Sequence, residues 1–261
     1  MAHFSVLKPD RFVRTLSVSG SVIAVIYSIC MFLVPWVQGG GDWTYVQSVW
    51  DRWQSLNVGL LAFISSITAL NISRFNSERQ RERDFLASKA FLPSALSELV
   101  TYFKESASVF KQGWETAPGA QPTFRAPELP KEYKPVFQEC IRHAAPDAGD
   151  YLSQILVRLQ VHDARLQSYV SQDKDDGHFT PQKHNLIPYF YRLGELLAMV
   201  NKLFAFARSM AEFDDTPLNW EDFHNAYANL NISEDEIIIS KELDLEPFTK
   251  RAILRNSDQN T

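Results

Sequence analysis

The most informative feature of this 261-residue sequence is where charge is missing. No Asp, Glu, Lys or Arg occurs from Thr15 to Gly41 or from Trp53 to Ser73, although charged residues make up 22% of the chain. A helix crosses the hydrocarbon core of a bilayer with about 20 mostly apolar residues. The two uncharged runs therefore predict two transmembrane helices, at about 16–37 and 54–73.

Catalytic and metal-binding motifs are also missing. The two cysteines, Cys30 and Cys140, indicate neither a disulfide framework nor a zinc site. There is no phosphate-cradling Gly-rich loop, G-x-S-x-G, H-E-x-x-H or C-x-x-C. The net charge of −5 argues against a nucleic-acid partner. We therefore expect a non-enzymatic protein with no catalytic residue, metal ion or cofactor.

Some weaker chemical candidates remain. Arg158 and His162 are one residue too close for the R-x₄₋₆-H pattern of helical ribonucleases. His178 and His184, with neighbouring loop carboxylates, would serve a metal site or a membrane-tethered hydrolase, but such carboxylates are usually solvated. The carboxylates near these histidines are Asp173, Asp175 and Asp176. Glu195 and Asp214 are a separate candidate catalytic pair, which nothing in the sequence brings together.

The first apolar run has two alternative interpretations. A cleaved signal peptide would use the basic residues that precede the run, but the run is too long and no A-x-A site follows it. A buried hairpin of a soluble protein is the other alternative. The second run, 53–73, is the weaker membrane span because it contains five Ser or Thr residues and three amides.

The basic residues predict the orientation of the two spans. Three precede the first span and four follow the second within ten residues, whereas the loop between the spans has one. Cytoplasmic flanks carry the excess of Lys and Arg, so we expect both termini in the cytoplasm and the loop outside. These residues are Lys8, Arg11 and Arg14, then Arg52, then Arg74, Arg79, Arg81 and Arg83.

Aromatic residues crowd the predicted loop, which holds or borders four of the six tryptophans. Trp and Tyr are enriched where a membrane meets water. Gly39–Gly41 supplies the freedom for a turn between the helices. The predicted interfacial anchors are Trp36, Trp43, Tyr45, Trp50, Trp53, Arg11, Arg14, Arg74 and Arg79.

Small residues recur at helical spacing in both spans, which lets helix backbones approach closely. The spacing fits packing of the two helices on each other, or contact between copies in a homo-oligomer. No ionisable side chain except Cys30 lies in the spans, which argues against a transporter. The predicted packing residues are Gly20, Ala24 and Ser28 in the first span and Gly59, Ala62 and Ser66 in the second.

Beyond this anchor of residues 1–73, the sequence predicts a helical body. Residues 74–112 are expected to form a polar stalk and a long amphipathic helix, which Pro93 kinks or restarts. Residues 113–135 hold five prolines and predict an irregular loop. The rest comprises a helical domain, 136–255, and a disordered tail, 256–261.

Several helix ends in the body can be predicted from capping patterns. Thr216 and Pro217 are expected at the N-cap and first position of one helix, and Pro247 near the start of the last, which should end near Arg255. A capping box is predicted at Ser233, and a strand competes with helix at 236–240. The predicted fold class is all-α, a transmembrane helical hairpin followed by a cytoplasmic helical bundle.

The stretch "RERDFLASKAFLPSALSELVTYFKESA", residues 81–107, resembles uncharacterised bacterial inner-membrane proteins with the same anchor and helical body. The resemblance implies a multi-pass protein of the bacterial inner membrane and brings no activity with it. We therefore expect a membrane-anchored protein whose cytoplasmic domain binds a protein partner, as scaffold, sensor or regulator. The alternative is a membrane-perturbing effector of a defence or toxin system, acting through oligomerised hairpins.

Overall fold

The computed structural model describes residues 18–20, 22–23, 25–116, 125–175, 183–233, 235–238 and 244–258, with backbone alone at 172–175 and 257–258. These residues contain helices and no strand, which confirms the predicted all-α class. The helices are α1 Val18–Gln38, which includes a π-helical turn at Ile29–Leu33, α2 Trp43–Arg52, α3 Gln54–Lys89, α4 Leu92–Glu115, α5 Tyr133–His143, α6 Pro146–Asp175, α7 Lys183–Ala207, α8 Trp220–Asn229 and α9 Leu245–Asp258.

The chain divides into two compact units, Met1–Arg79 and Gln80–Thr261. In the first unit, α1 and the beginning of α3 form a hairpin. The Tyr27 hydroxyl of α1 donates a hydrogen bond to Oδ1 of Asn57 in α3. Further along, the Cδ1 atom of Ile67 lies 3.8 Å from where a Cβ on Gly20 would be. The small residue at position 20 therefore allows the two helices to approach each other.

The turn between these helices depends on glycine, as the sequence predicts. Gly40 and Gly41 adopt φ angles of +59° and +88°, which side chains disfavour. Asp42 then caps α2 by accepting a hydrogen bond from the Thr44 backbone N–H at 2.9 Å. The ten-residue helix α2 occupies the segment predicted only as a loop.

The second unit is built around α7, which packs against α4, α6, α8 and α9. Every residue from Leu193 to Val200 is buried, so the helix is enclosed on all sides for about two turns. The amphipathic helix α4 contributes its predicted apolar stripe to the same core. The buried stripe includes Leu92, Leu96, Leu99, Phe103, Ala107 and Phe110.

Most helix boundaries agree with those predicted from the sequence, and a few do not. Pro93 lies in the first turn of α4, after a short break at Ala90 and Phe91, so it restarts the helix as expected. The start predicted at Thr216 is wrong. Asn219 caps α8 instead, because its side chain accepts hydrogen bonds from the backbone N–H groups of Glu221 and Asp222, and its own N–H donates to the Asp222 carboxylate.

The remaining predicted boundaries concern the loops and the C-terminal end. Helix α4 continues to Glu115 and α5 begins at Tyr133, so the described irregular residues between them are 116 and 125–132. The region predicted as a capped piece or a strand forms turns at 235–237, and 239–243 lie outside the described residues. Helix α9 extends to Asp258, so the predicted tail begins too early.

A substitution at Gly194 tests how closely the neighbouring helices pack against α7. A Cβ at this position would lie 2.4 Å from Cε1 of the buried Tyr227. We expect Gly194→Ala to cost about 1–3 kcal/mol of unfolding free energy, because the Tyr227 ring has to move within a filled core. The measurement is the melting temperature of the purified full chain, followed by circular dichroism.

Gly149→Ala in α6 is the matched control, since its Cβ would make only a 3.4 Å contact with the Ile141 carbonyl oxygen. An equal loss of stability in both variants would contradict the assignment of the cost to Tyr227.

Candidate functional site

A carboxylate lies inside the enclosed part of α7. Glu195 is 3% exposed and is surrounded in sequence by the apolar residues of the helix that forms the centre of the core. Removing a charge from water is costly unless the charge is paired and hydrogen-bonded. The Glu195 carboxylate therefore has to be paired with nearby cations.

Two arginines from two helices neutralise Glu195. Arg192, one turn earlier in α7, places Nη1 2.8 Å from Oε2 of Glu195. Arg158 in α6 places Nε 3.7 Å from the same oxygen. We call these three residues the Glu195 cluster. Burial alone would lower the pKa of Arg192, but the hydrogen bond and charge attraction to Glu195 outweigh it and raise that pKa.

The Glu195 cluster borders a pocket of about 250 Å³. Its wall combines apolar and polar side chains from α6, α7, α8, α9 and the segment before α8. Tyr151 in this wall donates a hydrogen bond to the Met199 carbonyl oxygen at 3.3 Å, and burial raises the pKa of its hydroxyl. The polar lining residues are Tyr151, Gln154, Arg158, Glu195, Asp215, Thr216 and Asn256.

The two carboxylates considered as a catalytic pair, Glu195 and Asp214, have separate cations. Asp214 lies 2.9 Å from Nζ of Lys202 and accepts a hydrogen bond from the Thr216 N–H at 3.0 Å. These bonds, with Lys202 contributing most, lower the pKa of Asp214 to about 2. Lys202 therefore holds Asp214 ionised, whereas the ion pairs of Glu195 are with Arg192 and Arg158.

His162 of α6 is buried among aromatic rings, one turn after Arg158. It is 3% exposed, and its ring meets those of Tyr102, Phe103 and Phe110 edge-on, with centroids 5.9–6.2 Å apart. Its Nε2 atom has no hydrogen-bond partner within the described part of the chain. Burial lowers the pKa of His162 to about 4, so the ring is neutral near pH 7.

The remaining histidine candidates are His178 and His184. His184 is exposed near the start of α7, while His178 and the side chains of Asp173, Asp175 and Asp176 lie outside the described residues. Among the residues that the structure describes, no group of three or more His, Cys, Asp or Glu side chains is placed to hold a metal ion.

The predicted interfacial aromatics lie around the turn of the first unit. The rings of Trp36 and Trp43 are 6.2 Å apart and those of Trp43 and Trp50 are 6.0 Å apart, and Trp50 Nε1 donates to the Met31 carbonyl oxygen at 3.0 Å. Trp36, Trp43, Tyr45, Trp53, Arg74 and Arg79 are exposed and Trp50 is half-buried, whereas Arg11 and Arg14 lie outside the described residues.

The predicted packing residues divide into two sets. Gly20 faces Ile67 within the hairpin. A Cβ on Gly59 would meet nothing within 4 Å, and Ser28, Ala62 and Ser66 are exposed. Gly59, Ala62 and Ser66 therefore remain uncovered in the described hairpin, and Ala24 lies outside the described residues.

Sequence reasoning missed the Glu195 cluster. The available signal was a single Glu within the apolar run "LGELLAMV", which marks a charge in a helix that has to be buried. Its partner Arg158 lies 37 positions earlier on another helix, as the two residue numbers show, and only the crossing of α6 and α7 joins them.

No protein-family model, curated protein or solved structure matches this chain. The resemblance of residues 81–107 to uncharacterised bacterial inner-membrane proteins therefore stays a prediction.

His162 predicts a pH dependence of stability. Its pKa is lower in the folded chain than the ordinary 6.5, so protons favour the unfolded chain as pH falls from about 6.5 towards 4. At about 1.4 kcal/mol per pH unit, roughly 3 kcal/mol of stability should be lost across this window and fully present above it. His162→Phe should remove most of this loss, measured as melting temperature against pH.

His184→Gln, at an exposed position, is the control and should keep the wild-type dependence. A His162→Phe variant that retained the full wild-type pH dependence would show that another group is responsible.

Proposed function

We propose that this chain is a membrane-anchored, non-enzymatic protein whose helical second unit binds a partner as scaffold, sensor or regulator. The observation that carries the anchoring is that the apolar surface of α1 and α3 faces outward. Both helices, of 21 and 36 residues, are long and apolar enough to cross a membrane. Only 6% of the most apolar 18-residue stretch of α1 is buried, and 0% of that of α3. Apolar surface of this extent needs a cover, which a bilayer supplies.

The polar groups in the second span support this placement. The hydroxyls of Ser66 and Thr68 donate to the carbonyl oxygens of Ala62 and Ile64, each at 2.9 Å. Asn57 accepts from Tyr27. Hydrocarbon provides no water for these groups, so a spanning helix has to satisfy them internally.

The proposed location is the bacterial inner membrane, with two spans and both termini in the cytoplasm. The excess of Lys and Arg before the first span and after the second supports this orientation. The exposed tryptophans around the Gly39–Gly41 turn are then at the outer interface. The second unit is proposed as the binding body because the pocket beside the Glu195 cluster opens at its surface.

Charges placed in the outward apolar faces test the anchoring. Ile26 and Leu61 are 56% and 65% exposed. A charged residue at the centre of a membrane helix costs about 2.5–3.5 kcal/mol on insertion scales. We expect the double variant Ile26→Arg, Leu61→Arg to leave the membrane fraction during an alkaline carbonate wash, while the wild-type chain stays.

The matched control is Leu86→Arg, Leu254→Arg, which changes side chains that are 61% and 64% exposed outside the proposed spans. It should remain in the membrane fraction. A wild-type chain that was soluble and monodisperse without detergent would overturn the proposal. Protease added outside spheroplasts should spare the chain beyond residue 74, and its digestion there would overturn the orientation alone.

A second candidate function is membrane perturbation through oligomerised hairpins. The open face of α3 at Gly59, Ala62 and Ser66 favours it, because small residues that the chain does not cover allow a second helix to approach. If this face forms a pore interface, Gly59→Leu should abolish the depolarisation that overexpression causes, measured with a voltage-sensitive dye.

Leu70→Ala on the same helix, at a 63% exposed position, is the control for a general change in α3. Absence of depolarisation in the wild type, or depolarisation that Gly59→Leu left unchanged, would remove this candidate.

A further inference from the structure

A second surface feature of the helical unit is a groove lined by four arginines. One lobe, of about 210 Å³, lies between α6 and α7. A second lobe, of about 400 Å³, continues between α6, α7 and α9. Arg165 and Arg192 line both lobes, so the two are adjacent, and we call them together the arginine groove. Arg158 completes the first lobe and Arg255 the second.

The charge of the arginine groove is strongly one-sided. Its described lining contains four guanidinium groups and one carboxylate, that of Glu195, which already receives Arg192 and Arg158. The whole chain has a net charge of −5. A concentration of positive charge in a concave surface of an acidic protein attracts anions from solution, since low-dielectric walls focus the field.

Glu195 holds the Arg192 guanidinium in place and leaves N–H donors available for an anion. Nη1 is fixed by Glu195 at 2.8 Å, and the guanidinium lies 5.3 Å from the centre of the Tyr191 ring. A guanidinium has five N–H donors, so one bond to Glu195 leaves others available. No carboxylate in the described part of the chain forms an ion pair with Arg165 or Arg255, whose side chains are exposed at the groove.

The first lobe adds an apolar wall and an unpaired polar atom. Val157, Val161 and Leu196 line it, and the two valines are 61% and 45% exposed. His162 lines it too, and its buried Nε2 has no partner among the described residues. Arginine side chains beside apolar walls suit a ligand with a charged and an uncharged part.

We propose that the arginine groove binds a phosphate-bearing small molecule, with the phosphate between Arg165, Arg192 and Arg255 and the uncharged part against Val157 and Val161. Phosphate is the expected anion because arginines bind its oxygens through pairs of parallel N–H bonds. The two lobes together are in the size range of pockets that hold small metabolites. This inference names a ligand for the second unit and does not depend on its anchoring to a membrane.

Pyrophosphate binding to the full chain in a non-ionic detergent at low salt tests the site. We expect binding by isothermal titration calorimetry that weakens as salt is raised, because the attraction is between charges. Arg165→Gln and Arg255→Gln should each weaken it about tenfold, the loss of one charge-assisted hydrogen bond. Arg208→Gln is the matched control, since Arg208 is an exposed arginine directly after the helix that carries Arg192 and does not line the groove.

The source of the phosphate is distinguished by two further ligands. Tighter binding of ATP than of pyrophosphate would assign a nucleotide-like ligand. Tighter binding of dihexanoyl phosphatidic acid, with dihexanoyl phosphatidylcholine as the control, would assign a lipid headgroup. Either result supports the phosphate site.

Three results would overturn the proposal. They are no binding of any of these phosphates at millimolar concentration, equal weakening by Arg208→Gln, and unchanged binding in both groove variants. Melting temperatures equal to that of the wild type show that the variants are folded, as expected for exposed side chains. Failure here leaves the carbonate-wash result untouched, so the two proposals fail separately.

Discussion

The central helix of the second unit can be buried only because the carboxylate on it is paired. Glu195 lies in the part of α7 that other helices enclose on every side, where an unpaired charge would be costly. Arg192 and Arg158 satisfy it, and because they belong to α7 and α6, the pairing also fixes how these helices meet. Both arginines reach the surface, since their side chains are 50% and 36% exposed, so the buried pair extends outward into the arginine groove.

The two units use apolar side chains in opposite ways. In the second unit they point inward, and α4, α6, α7 and α8 bury rings such as Phe103, Phe190 and Tyr227 completely. In the first unit, Ile23, Leu61 and Leu70 are more than half exposed on helices that contain no charged residue in those stretches. One sequence therefore specifies a body that excludes water from a core and a hairpin that presents apolar surface outward. The outward apolar surface of the hairpin is the observation on which the proposed membrane anchoring rests.

Local signals explain how much of the fold could be predicted. Pro93 restarts a helix because the first helical turn does not need the N–H that proline lacks, and Gly39–Gly41 turns the chain because positive φ angles favour glycine. Local signals also gave a wrong prediction where two possible helix starts lie close together in the sequence. Thr216 and Pro217 form an acceptable helix start, but the reciprocal bonds between Asn219 and Asp222 satisfy two backbone N–H groups and place the start three residues later.

What the sequence alone determined is the helical class and the uncharged runs, because these depend on residues that are neighbours along the chain. What only the tertiary structure decided is which charges meet. Glu195 has no suitable partner in its local pattern other than Arg192, and its pairing with Arg158 and the alignment of Arg165 and Arg255 beside Arg192 arise from helices crossing in space. Which charged side chains form a cluster depends on the distances between them. Helix packing fixes those distances, and they cannot be read from separation along the sequence.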